Sequence, residues 1–172
     1  MFKKLHTTLR FRPPLYLDQA VRSTQMKGIY VLIIENHANI KLEIGKLGLL
    51  RFKRGFYAYV GSALSGLEQR IGRHRRAVGT VKKVHWHIDY LLAAPTVELK
   101  EVVFAETDER KECEIAANMR MHLDALPHFG CSDCSCHSHL FFAPRFTELK
   151  EQVYNSFQAV KEPFRTTIIN PV

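Results

Sequence analysis

The chain has 172 residues, of which 46% are hydrophobic and 24% are charged. These values are typical of a globular domain and exclude a chain that is mainly disordered, collagenous or coiled coil. The formal net charge is +8 at pH 7. The longest uninterrupted apolar run, residues 29–34, is far shorter than the roughly 18 residues that a membrane span needs, so we expect a soluble protein.

The positive charge is concentrated in one segment. Residues 51–87 hold nine basic residues and one acid, Glu68, whereas residues 88–172 hold eight basic and 13 acidic residues. A basic block beside an acidic half favours a polyanionic partner, nucleic acid first and an anionic membrane second. A basic surface that is merely solvated is the alternative.

We expect the first 26 residues to form a basic arm rather than a transit peptide, because Pro13 and Pro14 would interrupt an amphipathic helix there. Residues 27–142 form the main domain, and no repeat or linker divides the chain. A helix and tail over 143–172 are expected to pack on that same domain.

Hydrophobic periodicity and turn residues predict the elements in chain order. Gly61 is expected to end the early meander through a tight backbone turn, and a capping box from Ser65 to Glu68 to begin the first helix. An antiparallel meander followed by helices indicates an α+β fold of the α/β sandwich kind. We predict strands over 28–34, 40–44 and 49–59, the last of them broken at Gly55, helices over 65–78 and 85–94, a strand over 97–105, a helix over 109–126, a strand over 140–142 and a helix over 146–160.

The helix predicted after Ser65 carries functional side chains along its core side. At about 100° per residue, His74 lies on the same stripe as Leu67, with Arg70 at its edge and Arg73 further round. A partly desolvated guanidinium is suited to clamping a phosphate, so Arg70 is a candidate phosphate ligand. An ordinary solvated arginine is the alternative.

The helix predicted over 109–126 places one acid on its apolar face. Glu112 lies about 60° from Ile115, inside that face, while Glu114 lies outside it. A carboxylate on a core-facing stripe costs free energy unless it is paired or binds a metal, so Glu112 outranks Glu114 as a functional acid. The alternative is an acid in the first turn that favours the helix dipole.

Six short pieces of the sequence stand out in chain order. They are residues 28–30 (GIY), 59–63 (YVGSA), 67–74 (LEQRIGRH), 85–92 (HWHIDYLL), 112–113 (EC) and 129–140 (FGCSDCSCHSHL). Taken in this order, the pieces resemble the GIY-YIG nuclease superfamily. The later pieces resemble a little-characterised branch found alone or fused to endonuclease III-type DNA glycosylases.

The resemblance implies a small mixed or antiparallel sheet with three central strands, flanked by helices. It implies a DNA endonuclease that hydrolyses phosphodiester bonds with one Mg²⁺ or Mn²⁺, in DNA repair or in the processing of structured DNA. A cytoplasmic or nucleoid-associated enzyme with DNA, and with a DNA-repair protein, as partners is expected. The alternatives are a module of the same fold that binds nucleic acid without cutting it, and a zinc or redox regulatory protein.

The resemblance also assigns roles to individual residues. Tyr30 and Tyr59 would line the site, one of them positioning or deprotonating the attacking water. Arg70 would hold the scissile phosphate, with His74 and His85 as helper histidines. Glu112, or alternatively Glu114, would bind the metal. Further phosphate contacts are predicted at Arg73, Arg75, Arg76, Lys82 and Lys83.

The sequence departs from the superfamily pattern in two places. The 28 residues between Tyr30 and Tyr59 exceed the usual short hairpin, so residues 40–50 are expected to add a β-hairpin that widens or covers the groove. Ser62 stands where some members carry a lysine. Both departures affect substrate geometry rather than the chemistry.

A segment over 131–139 is rich in cysteine and histidine. Thiolate and imidazole are the ligands of structural zinc, and four of the candidates would complete a tetrahedral site. A disulfide, from Cys131 to Cys136 or from Cys113 to one of the cluster, and reduced thiols are the alternatives. The candidate zinc ligands are Cys113, Cys131, Cys134, Cys136 and His139.

Overall fold

The strands and helices follow the predicted order, with two added edge strands. A computed structural model describes residues 26–77 and 84–169. Its elements are β1 (Gly28–Asn36), β2 (Ile40–Glu43), a 3₁₀ turn (Gly45–Leu47), β3 (Leu49–Phe52), β4 (Gly55–Ala63), α1 (Leu67–Ala77), α2 (His87–Leu92), β5 (Val97–Glu106), α3 (Glu112–Arg120), β6 (Asp124–Ala125), β7 (Leu140–Ala143), α4 (Phe146–Ala159) and β8 (Arg165–Ile168).

Six of the strands form one antiparallel sheet, in the order β6-β7-β4-β1-β5-β8. The three strands at its centre, β4, β1 and β5, correspond to the small central sheet that was expected, and three shorter strands extend it at the edges. Strands β2 and β3 pair separately as the added hairpin. The α/β sandwich of the α+β class is therefore confirmed, with an antiparallel sheet.

Strand β1 is buried on both faces, which explains its uninterrupted apolar run. Alternate residues point to opposite faces of the sheet. Tyr30 and Leu32 enter a cluster with residues of α1, α2 and the β2–β3 hairpin. Ile29 and Val31 enter a second cluster with α3 and α4. Helices therefore cover both faces of the sheet.

Three sequence-based expectations about boundaries were wrong. Strand β4 continues through Gly61 to Ala63 instead of turning there. Helix α1 begins at Leu67, after Gly66 with a φ of 135°, so the capping box predicted from Ser65 is out of register. Helix α3 ends at Arg120, because residues 124–125 pair with β7 at the sheet edge.

The added hairpin packs against α2, and none of its residues lines the cleft between β1, β4 and α1. Ile44 and Phe52 are buried in the cluster that also contains Ile88 and Leu91 of α2. The hairpin therefore extends the core beneath α2. Of the predicted basic arm, only Met26 lies within the described residues, and its carbonyl accepts a hydrogen bond from Leu67 N at 2.7 Å. Among the described residues, no helix combines the length and apolar character that crossing a bilayer requires.

Candidate functional site

A cleft of about 480 Å³ opens where β1 and β4 meet α1, the start of α2 and the start of α3. It gathers residues that are distant in sequence, because the central strands bring residues 30 and 61 opposite each other. Of the predicted site residues, His74 lies behind its wall. The predicted catalytic residues that line the cleft are Tyr30, Tyr59, Arg70, His85 and Glu112, and the candidate zinc ligands Cys113, Cys134 and His139 line it as well.

Tyr30 and His74 form a buried hydrogen-bonded pair. The Tyr30 hydroxyl lies 2.7 Å from His74 Nε2, and the two side chains are almost fully buried. Burial raises the pKa of Tyr30 well above its ordinary value and lowers the pKa of His74 to about 4. Both groups are therefore uncharged at neutral pH, and the imidazole tautomer decides which of them donates.

Gly61 makes room for the Tyr30 ring. It lies directly opposite Tyr30 in the sheet, and a Cβ atom at this position would lie 2.5 Å from the ring. Any larger residue would push the hydroxyl away from His74. The motif glycine thus permits a close cross-strand approach, in place of the tight turn that the sequence suggested.

Tyr59 forms the neighbouring wall of the cleft. Its ring makes edge contacts with His74 and Phe129, each at 6.3 Å between ring centroids. Burial is the main cause that raises its pKa. Gly130 has a φ of 76°, and a Cβ there would lie 2.8 Å from the Tyr59 ring. This glycine is needed both for its backbone conformation and for the space.

Arg70 is supported by a tryptophan to which sequence reasoning gave no role. Its guanidinium carbon lies 4.3 Å from the centroid of the Trp86 ring, and that of Arg73 lies 4.4 Å from it. Among the described residues, no acidic side chain forms an ion pair with Arg70. Its guanidinium donors therefore stay available to an anionic ligand in the cleft.

Asp89 fixes this arrangement, and sequence reasoning also assigned it no role. Its Oδ2 atom accepts hydrogen bonds from Arg73 Nη2 at 2.8 Å, from His85 N at 2.9 Å and from Trp86 N at 3.1 Å. Asp89 is buried, and these three donors offset part of the desolvation of its charge, whereas its Oδ1 atom is buried without a partner among the described residues. Arg73, predicted as a phosphate contact, is therefore occupied within the protein.

Glu112 lies in the cleft, and Glu114 does not. Glu112 Oε2 is buried and has no hydrogen-bond partner, whereas the Glu114 side chain is exposed. An unpaired buried carboxylate oxygen is costly, and a divalent cation would offset that cost. Glu112 therefore fits the Mg²⁺ or Mn²⁺ that the resemblance implies. The exposed side chains of Asp133 and Arg110 also line the cleft.

The remaining predicted phosphate contacts are distributed around the rim. Arg75 and Arg76 are exposed on α1, and His85 is exposed at the entrance of the cleft, with its ring against the edge of Trp86. Lys82 and Lys83 lie outside the described residues. A basic rim thus continues from the cleft along the C-terminal half of α1.

A cluster of thiols and imidazole adjoins the cleft. The ligand atoms of Cys113, Cys134, Cys136 and His139 all lie within 4.8 Å of one another. Cys131 is outside this group, and its Sγ atom lies 3.9 Å from the His137 carbonyl oxygen. All four cysteines are free, so neither disulfide considered from the sequence is present. Burial raises the pKa of Cys113 and of Cys136.

The chain was compared with known families, curated proteins and solved structures. The searches of curated proteins and of solved structures found no match. One family model, described as a domain of unknown function, DUF123, matches residues 29–162. This match includes β1, the cleft and the Cys/His cluster, and it extends beyond the last helix. The chain therefore belongs to the DUF123 family.

Proposed function

We propose that this protein is a divalent-metal-dependent DNA endonuclease that hydrolyses phosphodiester bonds in DNA repair or in the processing of structured DNA. One observation carries the proposal. The same cleft holds an unpaired buried carboxylate oxygen on Glu112 and, on Arg70, a guanidinium without an ion-pair partner among the described residues. The resemblance of the motif residues to the GIY-YIG superfamily supports the same chemistry.

Arg70 binds the scissile phosphate in this proposal. A guanidinium presents a planar set of donors that matches two phosphate oxygens, and stacking on Trp86 restricts its orientation. Pre-organised positive charge stabilises the charge that develops on the phosphate in the transition state. Trp86 and Asp89 act as positioning residues for this arginine.

Tyr30 and His74 activate the attacking water. Tyr30 is the only cleft tyrosine with a hydrogen-bonded imidazole in the described structure. Its oxygen takes a proton from water as it passes its own proton to His74 Nε2, and the water oxygen attacks phosphorus. The bond from phosphorus to the leaving ester oxygen breaks, and that oxygen takes up a proton from solvent. A raised tyrosine pKa disfavours a free phenolate, so a concerted relay is the route that this pair permits. Tyr59 packs beside the pair and restricts the space for the water.

Glu112 holds the divalent cation. When bound, such an ion supplies Lewis-acid stabilisation to the phosphate oxygens. The carboxylate belongs to the first turn of α3 and lines the cleft, and its Oε2 atom is buried without a hydrogen-bond partner in the described part of the chain. The exposed Arg75 and Arg76 contact the backbone of the same DNA duplex or branch outside the cleft, together with Lys82 and Lys83 of the undescribed segment.

The experiment is a substrate panel with the full chain. Labelled duplex, single-stranded, flapped, branched and base-damaged DNA are incubated with Mg²⁺ or Mn²⁺, and binding is measured in parallel. We expect metal-dependent cleavage of at least one substrate and a loss of about 10²–10³-fold in Arg70→Ala. Arg145→Ala is the matched control, because Arg145 is exposed at the start of α4 on the opposite sheet face.

Two results would contradict the proposal. If every DNA remains intact but is shifted in mobility, the protein is a binding module of this fold. If Arg145→Ala reduces cleavage as much as Arg70→Ala, the cleft is not the site of the chemistry.

A further inference from the structure

Beside the cleft, three thiols and one imidazole converge from two separate parts of the chain. Cys113 belongs to the first turn of α3, and the other three residues come from the segment before β7. We propose that Cys113, Cys134, Cys136 and His139 bind one structural zinc ion. This inference does not depend on the nuclease proposal.

The spacing of the four ligand atoms suits a tetrahedral ion. Zinc lies about 2.3 Å from sulfur and about 2.0 Å from imidazole nitrogen, so the ligand atoms of a tetrahedral site are about 3.5–3.8 Å apart. Here Cys134 Sγ lies 3.5 Å from His139 Nε2, and all four atoms lie within 4.8 Å of one another. Small side-chain rotations that bring the ligand atoms closer by up to about 1 Å complete the geometry.

His139 is already oriented as a metal ligand. Its Nδ1 atom lies 3.2 Å from the Val60 carbonyl oxygen, so Nδ1 donates this bond and Nε2 presents its lone pair to the thiols. The backbone is held on both sides, because His139 N donates to Phe129 O and Val60 N donates to His139 O. Zinc-bound histidines typically donate a hydrogen bond of this kind from the ring nitrogen that does not bind the metal.

The chemistry of the four ligand atoms favours zinc over Mg²⁺. Three thiolates and one imidazole form a Cys₃His set, which is typical of closed structural zinc sites. Mg²⁺ prefers oxygen ligands, so the ion of the Glu112 site would not compete here. Cys131 is left outside because its Sγ atom points toward the His137 carbonyl oxygen.

The ion would stabilise one wall of the cleft. The segment over 131–139 contains turns and bends but no helix or strand, and Ser132, Asp133 and Ser135 are exposed. Few apolar contacts therefore hold it. A zinc ion would tie this segment to the first turn of α3, directly beside Glu112.

Metal analysis of the full chain, purified without a metal-binding tag, tests the site. We expect about one zinc per chain. After exchange, Co²⁺ should give a sulfur-to-cobalt charge-transfer band and the intense visible bands of tetrahedral cobalt. Before chelation one thiol, Cys131, should react with an alkylating reagent, and after chelation all four should react. Cys134→Ser should lose at least nine-tenths of the zinc, and Cys131→Ser, the matched control, should retain it.

Three results would overturn the inference. They are a wild-type chain that binds neither Zn²⁺ nor Co²⁺, a disulfide among the four cysteines in the freshly purified protein, and equal zinc loss in Cys131→Ser and Cys134→Ser. If Cys134→Ser fails to fold, the wild-type cobalt spectrum and thiol count still decide. DNA cleavage is not a readout of this test, so its outcome is separate from that of the nuclease proposal.

Discussion

Glu112 and Cys113 are neighbours in sequence, yet they face two sites of opposite chemistry. Glu112 lines the cleft with a carboxylate that has one buried, unpaired oxygen, and Cys113, also at the cleft, places its sulfur in the thiol cluster. Successive helical residues point about 100° apart, so one helical turn can supply both. A hard oxygen suits Mg²⁺ or Mn²⁺ and a soft sulfur suits zinc. Each site should therefore lose its own metal only when its own ligands are mutated.

The largest expected effect is the loss of DNA cleavage in Glu112→Gln. This change keeps the size of the side chain but removes the charge that would hold the cation, so single-turnover cleavage should fall by about 10³-fold. Zinc content should not change. Glu114→Gln is the control, two residues along the same helix and exposed. Equal rates in the two variants would remove Glu112 from the metal site.

Cys136→Ser removes one thiol of the Cys/His cluster and so tests the proposed zinc site. Loss of a structural ion should lower the free energy of unfolding by at least about 2 kcal/mol, measured by urea denaturation. Cys131→Ser should change it by less than about 0.5 kcal/mol, because that thiol is outside the cluster. Added Mg²⁺ should not restore the stability of Cys136→Ser. A restoring effect would mean that one metal serves both sites.

The pH dependence of stability tests the buried Tyr30–His74 pair. The pKa of His74 is lowered from 6.5 to about 4 by burial, so the unfolded chain binds the proton first as pH falls. This contribution to the free energy of unfolding is complete above pH 6.5. By pH 4 about 3 kcal/mol of it is lost. His74→Gln should flatten this part of the curve, and the exposed His122→Gln should not. Parallel curves for wild type and His74→Gln would contradict the assignment.

The smallest effect is expected where Arg70 stacks on the Trp86 ring. Trp86→Leu removes the ring under Arg70 and should lower the cleavage rate about 10-fold, with DNA affinity nearly unchanged. Trp86→Phe retains a flat ring and should recover most of the rate. A leucine variant as active as the phenylalanine variant would show that stacking does not position Arg70.

Hydrophobic periodicity was sufficient to predict which face of a single helix or strand a residue lies on. The apolar run of β1 predicted a central strand, because such a strand is buried on both faces. The 100° rule placed His74 on the core side of α1 and separated Glu112 from Glu114. These inferences concern only the face of one element, which local sequence encodes.

Contacts between distant segments could not be predicted in the same way. The need for glycine at position 61 depends on Tyr30 in the neighbouring strand. Trp86 precedes a short helix, where no periodicity determines the direction of its ring, and its partners lie on α1. Strands β6 and β8 are two and four residues long and exist only by pairing at the sheet edges. Cys131 lies outside the thiol cluster because of how its loop folds, which the sequence pattern does not determine.

Parallel measurement of cleavage and binding on one labelled DNA tests the central claim most directly. The wild-type chain, Glu112→Gln and Glu114→Gln are compared with Mg²⁺, on the substrate that the panel identifies. The cleft is expected to cut DNA through Glu112, so Glu112→Gln should bind with the wild-type Kd and cleave about 10³-fold more slowly. Cleavage by Glu112→Gln at the wild-type rate, or wild-type binding without any cleavage, would contradict it.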